Sequence, residues 1–281
     1  MSEAKSIVRS TNPVTVGSLS CDLRGLGVGP GDVLLVHSSM SALGWVCGGA
    51  VAVVEALMCV LTCEGTLVMP THSAQLSEPS HWRNPPVPES WWSVIRDSMP
   101  PFDPVTTPTR GMGSIPESFR MMPGVVRSDH PTCSMSAWGA GADEVVGNHS
   151  LTDPHGNESP LGRIYDMDGK VLLLGVGHVA NTSMHLGERR AFGGSQAMVR
   201  TGAPMRFPEG RRWIAFDEPD VDSGDFAKMG NCFETASNLV VKGKIGMATG
   251  VLMSQRDLVD FSIQWLRINR DSSGRMLDDS V

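Results

Sequence analysis

The chain lacks most of the patterns that would assign it at a glance. No C-x-x-C occurs among the six cysteines (Cys21, Cys47, Cys59, Cys63, Cys133, Cys232), so no paired disulfide or zinc framework is written in their spacing. They read as free thiols in a reducing cytoplasm, with Cys59 and Cys63 as small core residues of an expected helix. The N-terminal MSEAKSIVRSTNP has no apolar stretch of the kind a signal peptide needs. The longest apolar run, around Ala50–Leu61, is interrupted by Glu55 and is too short to span a bilayer. Excess positive charge is missing as well: 23 Lys and Arg against 30 Asp and Glu give a net −7. That balance argues against nucleic acid or an anionic membrane as a partner. The ATP fingerprint G-x-x-x-x-G-K-[ST] and a strict G-x-G-x-x-G are absent. So are H-E-x-x-H and H-x-x-x-H, and no metal is expected. There is no G-x-S-x-G, which removes the hydrolase nucleophile elbow. The expectation is a soluble, cytoplasmic protein.

What is present suits one large core: 281 residues, 41% of them hydrophobic, read as a single domain over 1–281. Residues 15–29 suit a helix carrying Leu19, Leu23 and Leu26 and ended by Gly27. DVLLVH (Asp32–His37) reads as a buried strand, AVAVVEALMCVLT as a helix, and TLVMP as the next strand. This β-α-β series predicts an α/β fold with a largely parallel central sheet flanked by helices. The pattern dissolves across 71–108, a Pro- and Trp-rich stretch read as an ordered insertion beside the site. Helices are expected near Ser114–Met121, Ser136–Val146 and Pro160–Tyr165, and a strand at Gly169–Gly175. FPEGRRWIAFDEP suggests a hairpin, and VLMSQRDLVDFSIQWLRINR an amphipathic C-terminal helix with Leu258, Phe261, Trp265 and Ile268 on one face. A homodimer through that helix and the tryptophans is one reading, and core packing is the other.

Local rules also single out groups for chemistry. The loop His37–Gly49 joins a strand to a helix, where free backbone N–H groups make an anion site. Ser38, Ser39 and Ser41 add hydroxyls, and Gly44, Gly48 and Gly49 let a phosphate approach; a plain strand-to-helix turn is the alternative. Five histidines fall between His130 and His185, namely His130, His149, His155, His178 and His185. His185 stands out in LGVGHVANTSMHLGERRA. Asn181, Thr182 or Ser183 can cap a helix and place it in the first turn, where the dipole favours a neutral imidazole. Glu188, three residues on, shares its face and can orient the ring or bind a substrate cation. Cys133 is a second nucleophile candidate, paired by sequence with no particular histidine. The run DEPDVDSGD (Asp217–Asp225) holds five carboxylates in nine residues, either a solvated loop or a wall for a polyamine-like ligand.

Taken in order, LLVHSSMSALGWVCGGA, GTLVMPTHS, FDPVTTPTRGMGSIPESFR, RSDHPTCSMSAWG, HGNESPLGRIYDMDGKVLLLGVG and NTSMHLGERRA resemble the aminoglycoside 3-N-acetyltransferase family, from about Gly27 to Ala191. The resemblance implies a non-GCN5-type acetyltransferase fold. It also implies acetyl transfer from acetyl-CoA to the 3-amino group of the 2-deoxystreptamine ring of an aminoglycoside antibiotic, a cationic aminocyclitol, and hence resistance. By resemblance, coenzyme A would be held by His37, Ser38, Ser39, Ser41, Leu43 and Gly44, with Thr107, Ser114 and Arg127 nearby. By resemblance too, His185 would be the base and Glu188 an active-site carboxylate, with Glu158 a further candidate on the substrate side, while Asp222 and Asp225 of the acidic run are substrate-side candidates from their charge. Such chemistry needs a base, because an amine must be neutral to attack a thioester, and donors for the oxyanion. The other readings are acetylation of another amine, a ping-pong route through acyl-Cys133, and a binder of cationic sugars without turnover.

Overall fold

The computed structural model describes residues 3–236 and 238–277. A short helix α1 (Glu3–Arg9) leads to α2 (Val16–Leu26), whose start is fixed by a capping box. There the Ser18 N–H donates to Thr15 Oγ1 at 3.1 Å and the Thr15 N–H to Ser18 Oγ at 2.9 Å. Gly27, at φ 105°, ends the helix in the left-handed conformation that only glycine adopts without strain. Then come β1 (Val33–Ser38), α3 (Gly49–Leu61) and β2 (Thr66–Pro70). The stretch 71–108 holds short 3-10 turns and α4 (Trp92–Ser98), and is followed by α5 (Ser114–Phe119), β3 (Val126–Arg127), β4 (Met135–Gly139), α6 (Ala142–Val146) and α7 (Pro160–Asp166). The second half contains β5 (Lys170–Leu174), α8 (Ser183–Phe192), β6 (Met198–Phe207), β7 (Gly210–Pro219), α9 (Phe226–Ala236), β8 (Val241–Ile245), β9 (Ala248–Ser254) and α10 (Gln255–Asn269).

Seven strands form one sheet in the order β3-β4-β2-β1-β5-β9-β8, and β6 and β7 form a separate hairpin. Strand alternation divides the core into two layers. Leu34, Val36, Leu67, Met69, Leu172 and Leu174 pack with α2, α3 and α5 on one face. Leu35, Val68, Val171, Leu173 and Met253 pack with α7, α8, α9 and α10 on the other. Both layers cover the sheet, as parallel β-α-β connections require.

The sheet is mixed rather than largely parallel. Only β1–β2 and β1–β5 are parallel; β2–β4, β3–β4, β5–β9 and β8–β9 are antiparallel. The expected helix over Ser136–Val146 is in fact β4 followed by the short α6. SMSAWG lacks the β-branched signature of a strand, and it becomes one through pairing with β2, where Val68 faces Ala137. VLMS likewise belongs to β9, not to the C-terminal helix. Leu258 is buried as expected, but Ile268, expected on the same face, is 76% exposed, and the other buried residues of the helix are Gln255, Val259, Ser262 and Leu266. Cys59 and Cys63 are exposed rather than core residues. The hairpin, the Gly169–Gly175 strand and the Pro160 helix lie where the sequence placed them. Among the described residues, no helix is long and apolar enough to cross a membrane.

Candidate active site

The three parallel strands β2, β1 and β5 release the chain at one edge of the sheet. Because α3 covers one face and α8 the other, the connections leaving β1 and β5 diverge there and open a crevice. It is a cleft of about 450 Å³, lined by His37 and Ser38 of β1, His72 beyond β2, Val176 beyond β5, Cys133, His155 and His185.

His185 is the third residue of α8, in its first turn, as the capping residues implied. Thr182 occupies the cap position without a side-chain bond to the helix; Asn181 Oδ1 accepts from the Ser183 N–H at 3.3 Å. Glu188 lies one turn further, and its Oε2 is 2.9 Å from His185 Nδ1. An ionised carboxylate has no proton to give, so Nδ1 is the donor and Nε2 is left as the accepting nitrogen. The ring is held between His155, stacked at 4.9 Å between centroids, and Phe226 of α9 at 4.7 Å. Its side chain is 15% exposed, whereas Glu188 is fully buried. Glu188 Oε1 accepts from Arg270 Nη1 at 2.6 Å and from the Asp222 N–H at 3.2 Å. Both oxygens are thus engaged from within the protein.

The surrounding histidines are neutral. Burial pushes His37 and His72 down to about 3, with His72 adding to the shift at His37, and His149, His185 and Arg127 adding to it at His72. Burial takes His155 well below its ordinary range, and the neighbouring His185 and His72 push it the same way. Cys133 goes the other way: burial raises its thiol to about 12, with the Glu218 carboxylate adding to the shift. His130 Nδ1 accepts the Cys133 backbone N–H at 2.9 Å, so this histidine does not serve the thiol as a base.

A family model for aminoglycoside 3-N-acetyltransferases matches residues 35–267. The chain belongs to the aminoglycoside 3-N-acetyltransferase family. It is 45% identical over 270 residues to the SPbeta prophage-derived aminoglycoside N(3')-acetyltransferase-like protein YokD of Bacillus subtilis, covering 95% of this chain and 98% of that one. The crystal structure of YokD superposes with a TM-score of 0.91 at 43% identity, over 95% and 98% of the two chains. Aminoglycoside N(3)-acetyltransferase VII of Streptomyces paromomycinus is 34% identical over 95% of this chain and 96% of its own. The solved structure of AAC-IIIb in a binary complex with CoASH has a TM-score of 0.81 at 30% identity, covering 92% and 97%.

In this acetyltransferase the remaining sequence-selected residues separate into three places. His37 and Ser38 line the cleft itself; His37 Nε2 is 3.4 Å from Thr182 Oγ1, and the buried Ser38 Oγ has no protein partner. Ser41, Gly44 and Ser114 meet in a neighbouring hollow of about 360 Å³, which joins the loop after β1 to the start of α5. Ser39 is tied to that loop through a 3.2 Å contact with Ser41 Oγ, whereas Leu43 is a fully buried core residue. Thr107 and Arg127 are not among the cleft-lining residues. Arg127 donates to the Thr107 carbonyl at 2.5 Å, the Thr71 carbonyl at 2.6 Å and Ser134 Oγ at 3.0 Å, and so ties the 71–108 stretch to β3 and β4. Burial lowers its guanidinium to about 10. Glu158 is exposed outside the cleft. The Asp225 carboxylate pairs with Arg270 at 2.6 Å, and the exposed Asp222 accepts the Gly224 N–H at 2.8 Å. Neither lines the cleft.

His178, the other histidine of the opening stretch, sits 3.0 Å from Glu234 of α9 and serves packing there. Among the described residues, no group of three or more His, Cys, Asp or Glu is arranged to hold a metal ion. Two residues near the site, His72 and Arg270, went unread in the sequence, and Glu218 was read only as one of the five carboxylates of the 217–225 run. His72 had a usable signal, its place just past a strand end. Glu218 is on β7, half-buried with Oε2 unpaired, and burial raises it to about 7. Arg270 gave no local signal at all.

Proposed function

We propose that the protein transfers an acetyl group from acetyl-CoA directly to the 3-amino group of the 2-deoxystreptamine ring of aminoglycosides, with His185 as general base, and thereby confers resistance. The observation that carries this reading is the His185–Glu188 pair, 2.9 Å apart, with its imidazole on the cleft wall. Glu188 fixes the tautomer and leaves Nε2 free to take a proton from the substrate's ammonium group, so that the neutral amine attacks the thioester and coenzyme A leaves as its thiol.

The residues present suit coenzyme A. The orphaned Ser38 hydroxyl in the cleft and the small-residue loop carrying Ser41 and Gly44 offer unused donors beside a helix start. Ser38, Ser39, Ser41, Gly44 and Ser114 would hold it, and when bound it supplies the acetyl thioester. Leu43, Thr107 and Arg127 would shape that wall without touching it. Glu218, close enough to Cys133 to raise its thiol, is the carboxylate best placed to take a substrate ammonium. Asp222 and Asp225 act behind the base rather than as an open wall. The direct route is favoured over an acyl-Cys133 intermediate because a thiol raised to about 12 has almost no thiolate at neutral pH.

Release of coenzyme A thiol, followed with a panel of aminoglycosides, tests the whole reading. His185→Ala is expected to lower kcat by at least about 100-fold, and Cys133→Ala to leave it within about twofold. Retained turnover in the first variant removes the base, and loss in the second revives the covalent route.

A further inference from the structure

Glu188 is held from the far end of the chain. Arg270 directly follows α10, and its guanidinium spends every N–H it has. Nη1 donates to Glu188 Oε1 at 2.6 Å and to the Gly274 carbonyl at 3.2 Å. Nη2 donates to Asp225 Oδ1 and to the Asp222 carbonyl, both at 2.6 Å, and Nε to Asp225 Oδ2 at 2.8 Å. The side chains of Glu188 and Arg270 are both 0% exposed. A buried ion pair adds little stability over an apolar replacement of the same volume. Its place directly behind the imidazole therefore calls for an account other than stability.

We propose that Arg270 is a positioning residue for acetyl transfer, which fixes Glu188 against His185 Nδ1 and sets how much of the carboxylate's charge the imidazole feels. The inference rests on His185 acting as the base. Two carboxylates and one guanidinium leave a single negative charge shared behind the ring. That is enough to hold Nδ1–H, and less than an uncompensated Glu188 would exert on an imidazolium. The other titratable groups facing His185 are His155, stacked on it, and His72, His37 and Cys133 across the cleft. His130 and His149 lie behind these, and the Arg189–Asp153 pair joins the next turn of α8 to the loop carrying His155. None of these bonds to Glu188. Among the described residues, the Arg270–Asp225 unit and the Asp222 N–H hold that carboxylate from the side away from His185.

The test is the pH profile of kcat/KM for the full chain, measured by thiol release with an aminoglycoside acceptor, alongside thermal melts. Arg270→Met is expected to lower kcat at pH 7 at least tenfold and to move the acid limb up by about one pH unit, because Glu188 then pulls undiluted on the imidazolium. Asp225→Asn leaves Arg270 wholly to Glu188, and the limb moves down. Arg270→Lys, which keeps the charge, restores the limb to within about half a unit of wild type. Limbs that coincide in all variants overturn the proposal, even where kcat falls, since a purely structural role has no reason to shift them in opposite senses. If Arg270→Met does not fold, the direction of the Asp225→Asn shift decides. His185→Ala separates the two levels. Turnover that survives it sinks the base and this inference together, whereas an inactive His185→Ala beside unshifted Arg270 and Asp225 variants sinks the inference alone.

Discussion

Glu218 shows what a single side chain near the cleft reports. Its Oε2 has no partner, and its raised pKa of about 7 is the mark of a carboxylate buried ahead of need. A bound ammonium group would restore its charge. Glu218→Gln is accordingly expected to raise KM for polycationic acceptors about tenfold, the scale of one charge-assisted hydrogen bond of about 1.5–3 kcal/mol, with kcat nearly unchanged. Steady-state kinetics at saturating acetyl-CoA measure this, and an unchanged KM removes Glu218 from substrate binding. Residues differ sharply in how legible they were. The His185–Glu188 relation is a helical spacing of three, so the sequence displayed it. Arg270 meets Glu188 across 82 positions of chain, and no local rule reaches that far. The sequence set His185 apart from His178, and the approach of α9 is what gave His178 to Glu234.

At the scale of elements, α8 carries the His185–Glu188 pair and α10 packs against it. Gly187 lies between the two catalytic candidates and against α10. A Cβ there would stand 2.6 Å from Ser262 Cβ and 3.3 Å from the Val259 carbonyl oxygen. Gly187→Ala should cost about 1–3 kcal/mol by overpacking and displace His185 and Glu188 together, lowering both the melting temperature and kcat. Adding Ser262→Gly makes room, and both quantities should recover in part. Recovery of neither would mean that the helix contact does not set the site. The elements also explain where the sequence pattern failed. Strands β1, β2 and β5 are buried on both faces and read as plain apolar runs. Strand β4 is held by its antiparallel ladder to β2, and that pairing is invisible to a window of a few residues.

For the whole molecule, the buried histidines tie stability to pH. His37, His72 and His130 are held at about 3, His149 at about 4 and His155 well below 6.5, in each case chiefly by burial. Unfolding returns each to about 6.5, so the unfolded chain binds more protons below that value. Stability is therefore present above pH 6.5 and is lost as pH falls toward 4. Glu218 works in the opposite sense between 4.5 and 7, since its folded pKa is raised. The lowered histidines outnumber Glu218, so unfolding takes up protons on balance at about pH 5.5 and stability falls with pH there. Urea midpoints between pH 7.5 and 5.0 should fall steeply, and a flat profile would show that these histidines are not buried together.

The sequence by itself determined the two-sided α/β core, the strand–loop–helix at β1, the first-turn place of His185 and the face it shares with Glu188. Each of these depends on periodicities of a few residues. Tertiary structure alone decided the mixed sheet, the histidine-lined cleft, the loss of Asp225 to an internal ion pair and the reach of Arg270 to Glu188. Those depend on which distant segments exclude water from one another, and burial of that kind turns an ordinary histidine neutral and brings a distant arginine onto Glu188.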